Sequence, residues 1–528
     1  LSKLQYGKLS LPKQQFRIIK IFADKESELP MPEIKVHYNN AVININYSEG
    51  ASLLQILQNH DFKIEAPCGG NGTCGKCRVQ IKEVGFINSC EYYPYSDIEV
   101  ILPNKKEAQI LTAQHEYLLK LPAETSTLAN NISYPIGLAV DLGTTSIVFY
   151  WINLITGSII RNKGISNPQV KYGADVISRI NYCTNEKNIQ TLQNEVVSAV
   201  NQQIEQFCSL ENVPAEYIVK ISVSANTTML HLLAGIDPTP IALAPFKAPF
   251  TGEKLYRPKD LSININNSGI IHLLPSISAY VGADIVAGLA SLQPPENIKN
   301  YLFIDIGTNG EMALVTPSKI YCCATAAGPA FEGANIYCGM GAFDGAISVY
   351  NQGGYQTISD AKPIGICGSG LIDVIAYMLD NGIVQFDGVL NEDYVLVSEE
   401  DTGNNQPIII TPRDVREIQL AKSAIFTGIK LMTKEARVNL EQIDALFLAG
   451  GFGNYMNPEN AVKTGILPQA IKDKIILVGN TSGAGAILKT LNNNFNEYTK
   501  KVIEKSQLVE LTTHSDFEME FAMNMFFQ

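Results

Sequence analysis

The chain has no G-x4-G-K-[ST] phosphate loop, and its 528 residues hold no apolar run long enough to span a bilayer. The first absence excludes a P-loop NTPase. The second leaves no candidate transmembrane helix, so no membrane partner is expected. A basic surplus is also lacking, since 40 Lys and Arg stand against 52 Asp and Glu for a net charge of −12. A general nucleic-acid binder needs a basic face, so no nucleic acid is expected either. Ten cysteines are too sparse in a chain this long for a disulfide framework. The chain opens on Leu1 rather than methionine, which leaves room for a residue or segment upstream. What is present, 46% hydrophobic and 17% charged residues, fits a soluble globular protein with a cytoplasmic, reducing home. Its length predicts roughly two to four domains.

The cysteines that do occur are concentrated. Ala66 to Cys77 reads A-P-C-G-G-N-G-T-C-G-K-C, placing Cys68, Cys74 and Cys77 in a C-x5-C-x2-C run among Gly69, Gly70, Gly72 and Gly75. Glycine lets a backbone wrap closely, so that amide N–H groups point at sulfur. Cys90 completes a set of four before the next cysteine, Cys183. The spacing is one residue longer in its first gap than the plant-type [2Fe–2S] pattern. A structural zinc site or reduced loop cysteines are the alternatives, but zinc usually takes two short-spaced pairs, which Cys68 and Cys90 do not form.

Residues 1–32 read as an extension, with one strand at Phe16–Phe22. From Glu33 two alternating runs flank Asn39–Asn40, a hairpin signature. A short helix over Ser52–His60, the cysteine loop, a strand at Arg78–Ile81 and another at Ile98–Leu102 follow. The order over 33–103 resembles the β-grasp fold of plant-type ferredoxins. His60 reads as a helix-end residue rather than a ligand. Residues 104–135 read as a linker with a helix at Glu107–Leu118, a tether that lets the cluster domain move.

Beyond it, G-L-A-V-D-L-G-T-T-S (137–146) is echoed by L-F-I-D-I-G-T-N-G-E (302–311). Each is an apolar strand with an acidic residue near its end, a Gly-Thr turn and a second strand. The turn offers backbone N–H groups to phosphate, the Thr hydroxyls add donors, and the Asp holds Mg2+ directly or through water. Two copies a domain apart suggest a split site. A Gly-Gly element, Gly450–Gly451, follows the strand Ala445–Leu448, where the backbone can lie flat against a nucleoside. Gly365, Gly368 and Gly370 start a helix, either at the site or for close packing. Asp175 and Arg179 fall on one helical face, and Asn226, Thr227 and Thr228 end the strand Val219–Val223. His231 reads as a satisfied helix histidine. The pairs Asp284 with Asp305 and Glu311 with Glu332 are candidates to orient water or Mg2+. Ala327–Gly333 reads as a loop able to close over phosphates. Cys322, Cys323, Cys338 and Cys367 read as buried thiols. The order of elements resembles the actin-like (ASKHA, ribonuclease H-like duplicated) ATPases, over 136–528 with subdomains at about 136–300 and 301–528.

Together with N-T-T-M-L-H-L-L, G-P-A-F-E-G-A-N and L-A-G-G-F-G-N-Y, these strings make residues 33–528 resemble the reductive activators of corrinoid enzymes. The resemblance implies an α/β and α+β multidomain protein that uses ATP to drive an electron from a [2Fe–2S] cluster to Co(II) corrinoid, restoring Co(I). It implies Cys68, Cys74, Cys77 and Cys90 as cluster ligands. Asp141, Gly143, Thr144 and Thr145 form the first phosphate loop, and Asp305, Gly307, Thr308 and Asn309 the second. Gly368, Gly450 and Gly451 border the nucleotide, and Asp141, Asp305 and Glu311 serve catalysis with Mg2+. The expected partners are a corrinoid protein of a methyltransferase or O-demethylase system and an upstream low-potential electron donor, with a homodimer as one assembly. Larger members carry a further middle domain ahead of the first phosphate loop, where this chain has the linker. Alternatives are an electron donor to another low-potential metalloenzyme, as in 2-hydroxyacyl-CoA dehydratase systems, and a nucleotide-gated ferredoxin without turnover. A small-molecule kinase would give the ferredoxin domain no task.

Overall fold

The computed structural model describes residues 32–528, except 39–40, 48–49, 61, 63, 65, 67–69, 71, 73–76, 83, 103–116, 125–131, 174, 308–309, 334, 353 and 528. The extension with its strand at 16–22, the turn at 39–40, Cys68, Cys74, Thr308, Asn309 and most of the helix expected at 107–118 lie outside the described residues.

The two alternating runs form antiparallel strands, Glu33–Tyr38 and Ala41–Asn46. The helix Leu53–Asn59 begins where Ser52 Oγ accepts Gln55 N–H (3.3 Å) and Gln55 Oε1 accepts Ser52 N–H (3.1 Å). That reciprocal pair satisfies two amides at the helix start. Leu53, Leu54, Ile56 and Leu57 turn inward. Strands Arg78–Ile81, Gly85–Asn88 and Ile98–Ile101 complete a five-stranded mixed sheet. Ile98–Ile101 runs parallel to Glu33–Tyr38 beneath the helix, the β-grasp arrangement. Gly85–Asn88 was not anticipated: four residues reached through a left-handed Gly85 (φ +89°) read as a loop.

The rest is one architecture built twice. Strands Ile136–Leu142, Ser146–Asn153 and Ile159–Ser166 form an antiparallel meander. Ile136–Leu142 also pairs in parallel with Ile218–Ala225, which pairs in parallel with Ile270–Leu273. In the second sheet Tyr301–Ile306, Gly310–Val315 and Ile320–Thr325 form the meander. There Tyr301–Ile306 lies parallel to Ala445–Ala449, and that strand parallel to Ile475–Gly479. The central strands Ile218–Ala225 and Ala445–Ala449 are buried throughout, because helices cover both faces. Each D-x-G turn joins the first two strands of its meander.

Two sets of contacts bear on the expected divisions. The boundary near residue 300 does not divide the packing, because Leu488, Phe495 and Val502 share one core with Leu138, Val140 and Phe149 of the first sheet. Helix Thr481–Leu491 packs closely on the first sheet, where a Cβ on Gly137 would meet Thr490 Cγ2 at 2.4 Å. Within the linker, the described residues 117–124 are also tied down by backbone bonds. Leu119 N–H donates to Ser291 O (2.7 Å), and Gln293 N–H donates to Tyr117 O (2.7 Å). Leu118, placed in a helix by the sequence, instead forms an antiparallel bridge with Leu292. Among the described residues no helix is long and apolar enough to cross a membrane.

Candidate functional site

The two strand-end aspartates converge. Asp141 precedes the first turn and Asp305 the second, and Asp284 joins them from the first turn of helix Ala283–Ser291. The three residues keep some exposure while their carboxyl groups are drawn inward. Burial lifts Asp284 to about 7, an effect opposed by the Ile285 N–H and increased by Asp141. Burial also lifts Asp305 to about 7, reinforced by the negative charges of Asp284 and Asp141. Asp141 is raised by burial and held back by two donors. Ser482 Oγ donates to Asp141 Oδ1 (2.7 Å) and Asn480 Nδ2 to Asp141 Oδ2 (2.8 Å). Like charges crowded together call for a cation. Among the described residues no three His, Cys, Asp or Glu side chains form a metal-binding group by themselves.

Asn480 and Ser482 were missed in the sequence. Their signal was the string N-T-S-G at a helix start, where Asn480 Oδ1 also accepts Gly483 N–H (2.7 Å). It lies 339 positions from Asp141, so nothing local announced the contact.

Gly143 makes the first turn tight: its N–H donates to Ser146 O (2.9 Å), where a Cβ would sit 2.8 Å from that oxygen. Thr144 faces inward, its Oγ1 accepting Asn226 Nδ2 (3.0 Å). Thr145 points out and donates to Glu332 Oε2 (3.1 Å), a contact between the two halves. Glu332 also borders Gly307. Glu332 thus pairs with Thr145 between the two halves. Glu311 stands opposite Asp305 in register. Thr227 and Thr228 are buried, and Thr227 bonds Ser278 O (2.7 Å) away from the loop. His231 is satisfied inside its helix by Thr227 O (2.7 Å), and His60 by Ile56 O (2.9 Å).

Asp175 and Arg179, on one helical face, have different partners. Asp175 caps its helix through Ser178 N–H (2.8 Å). Arg179 is fully buried, donating through Nε to Gly173 O (2.8 Å) and through Nη2 to Thr144 O. It is the strut beneath the first loop. Arg179→Met is expected to destabilise the protein by about 3 kcal/mol, read from denaturant midpoints, because buried carbonyls lose their donor.

Gly450 adopts φ +84° and a Cβ there would lie 2.3 Å from Asp305 Oδ1, so the carboxylate needs this glycine. Gly451 is exposed with open space where a side chain would go. Gly450→Ala is expected to weaken nucleotide binding at least ~10-fold by calorimetry, since Asp305 must move and the backbone is strained. Gly368 is buried at the start of helix Gly368–Asp380, and a Cβ on Gly370 would meet Ile347 O at 2.2 Å. Close packing accounts for Gly370. Cys322, Cys323 and Cys367 are buried thiols.

At the other end of the chain, Cys77 and Cys90 place their sulfurs 3.2 Å apart, both buried. That separation exceeds a disulfide bond of about 2.05 Å and suits two ligands of one metal centre. Cys90 N–H points at Cys77 Sγ (3.5 Å). Gly70 and Gly72 carry φ of +87° and +74°, and a Cβ on Gly70 would lie 3.8 Å from Cys90 Cβ. Gly70 thus lies against Cys90, and the described residues fit an iron–sulfur cluster.

A β-grasp domain with paired thiols, followed by a duplicated fold with carboxylates between its halves, defines a ferredoxin joined to an ASKHA-type domain. Family models match in the same order: a 2Fe-2S iron-sulfur cluster binding domain over residues 36–95, the RACo middle region over 136–293, and the C-terminal, ASKHA domain of RACo over 299–528. The chain belongs to the RACo family. The matched middle region spans the first D-x-G-T turn. The chain is 28% identical to the corrinoid activation enzyme RamQ of Eubacterium limosum, over 92% of this chain and 97% of that one. It is 26% identical to a Co(II) methylated amine-specific corrinoid protein reductase of Methanosarcina barkeri, over 66% and 68%. A solved reductive activator for a corrinoid, iron-sulfur protein superposes with a TM-score of 0.67 at 29% identity, covering 94% of this chain and 98% of that one.

Proposed function

We propose that this protein is an ATP-dependent reductive activator of a corrinoid protein. The observation that carries the reading is the meeting of Asp141, Asp284 and Asp305 between the halves of an ATPase fold whose chain also carries the Cys77–Cys90 thiol pair. Relatives named for corrinoid activation and corrinoid reduction support the substrate class. Cys68, Cys74, Cys77 and Cys90 would hold the [2Fe–2S] cluster, which when bound supplies one electron at a time. One electron leaves the reduced protein and Co(II) becomes Co(I), with no proton required. An upstream low-potential donor restores the electron.

For one electron, 30 mV corresponds to about 0.7 kcal/mol. A nucleotide-driven change worth a few kcal/mol therefore covers an uphill step of order 100 mV. Asp141 and Asp305 would orient hydrated Mg2+ against ATP phosphates, with Glu311 opposite Asp305 placed to order water. Thr144 and Thr145 would offer backbone N–H groups from the first turn, and Gly451 would leave room for the nucleoside. A cytoplasmic location fits reduced thiols.

The test is anaerobic mixing of reduced protein with a Co(II) corrinoid methyltransferase component, with and without Mg-ATP, following Co(I) absorbance. Co(I) that forms only with ATP is expected. Cluster oxidation without Co(I), across several corrinoid proteins, would point to another metalloenzyme.

A further inference from the structure

Two helices that begin at the carboxylate cleft end on the segment leading back to the cluster domain. Helix Ala283–Ser291 carries Asp284 in its first turn, and at its far end Ser291 O accepts Leu119 N–H (2.7 Å). Helix Thr481–Leu491 starts from Asn480 and Ser482, which grip Asp141. At its far end Leu491 O accepts Glu124 N–H (3.0 Å), and Asn492 Nδ2 donates to Pro122 O (2.9 Å). Asn493 N–H then donates to Glu124 Oε2 (2.9 Å).

The pair is stiff. A Cβ on Gly485 would lie 2.5 Å from Ala287 Cβ, and one on Gly288 would lie 2.8 Å from Thr481 Oγ1. Helices at backbone contact move together rather than past one another. Eleven residues of helix span about 16 Å, so a rigid lever joins Asp141 to Glu124. Glu124 is held by more than backbone. Lys220 donates to Asn493 Oδ1 (2.9 Å), Lys489 pairs with Glu253 (2.9 Å), and the Glu124 carboxylate lies within electrostatic reach of both buried ammonium groups. Tyr117, at the other end of the segment, packs edge-on against Phe447 at 5.7 Å. Phe447 lies in the strand that leads into Gly450.

We propose that residues 117–124 are the coupling element through which nucleotide state at the carboxylate cleft sets the placement of the cluster domain, with Glu124 as its latch. The inference rests on the nucleotide reading of that cleft. Mg-nucleotide drawn between Asp141, Asp284 and Asp305 shifts the starts of both helices, and their far ends carry the segment with them. A ligand moves an equilibrium only through contacts that differ between its states, and here those contacts sit at the helix starts.

The test is hydrogen–deuterium exchange of the full-length holoprotein, with and without a non-hydrolysable ATP analogue and Mg2+, read on peptides covering 117–124. An exchange rate changed at least ~5-fold by nucleotide is expected. Glu124→Ala should abolish that change, keep ATP hydrolysis within ~2-fold of wild type and slow ATP-driven Co(I) formation ~10-fold, within the usual range of coupling between sites. Calorimetric nucleotide binding with no change at 117–124 in the wild type overturns this inference alone. The absence of any nucleotide binding overturns the cleft reading and this inference with it. The exchange readout needs no corrinoid partner, so it stands apart from the choice of substrate.

Discussion

Asp305→Asn is expected to lower ATP hydrolysis, and ATP-driven Co(I) formation with it, by about 10^2 to 10^3-fold, the usual loss when one preorganised charged group is removed from a reacting site. The same substitution should make the nucleotide-free protein more stable above neutrality. The carboxyls of Asp284 and Asp305 are lifted to about 7, whereas in the unfolded chain they ionise near 3.8. Between those values the folded state holds protons that the unfolded chain has released. Stability therefore falls as pH rises from about 4 to about 7, and the penalty is fully present above it. Asparagine removes one of the crowded charges, so Tm at pH 8 should rise by roughly 3–6 °C and at pH 4 should hardly change. Mg-ATP should stabilise the wild type at pH 8 and the variant far less. A variant that loses stability at pH 8 would show that the carboxylates are not strained by one another. The trade of stability for a charged cleft is what a cation-binding site requires.

Cys90→Ser is the second change with a large expected effect. Its sulfur lies 3.2 Å from Cys77 in a pocket closed by Leu54 and Ala66. Loss of one of four thiolates should remove most of the visible absorbance and the reduced-state EPR signal. Co(I) formation should fall to background while calorimetric ATP binding stays within ~2-fold. Retention of the full cluster spectrum in Cys90→Ser, but not in Cys77→Ser, would mean that another residue completes the set. Serine is close in size, so folding of the ASKHA-type part serves as the internal control.

The duplicated ATPase architecture could be read because its signal repeats. The D-x-G-T strings are local, each fixes a strand, a turn and a strand, and both meanders appear where those strings stand. The hairpin at 33–46 and the capped helix were legible for the same reason, since alternation and an N-cap are short-range features. The contacts that tune the site were not. Asn480 and Ser482 reach Asp141 only because a late helix crosses back to the first sheet, which depends on small residues meeting at Gly137, Gly485 and Gly288. Helical spacing put Arg179 on one face with Asp175, but only the fold shows it buried beneath Thr144. The docked segment 117–124 was hidden by its composition, because it is held mainly by backbone bonds that any sequence can make.

The central claim is that ATP turnover and electron delivery are one process. The most direct measurement follows phosphate release, cluster oxidation and Co(I) appearance together in one anaerobic reaction of the reduced protein with a Co(II) corrinoid protein. All three should start together, keep a fixed ratio, and stop together when ATP is withheld or Asp141 is replaced by Ala. Cobalt reduced equally fast without ATP, or phosphate released while no electron moves, would contradict it.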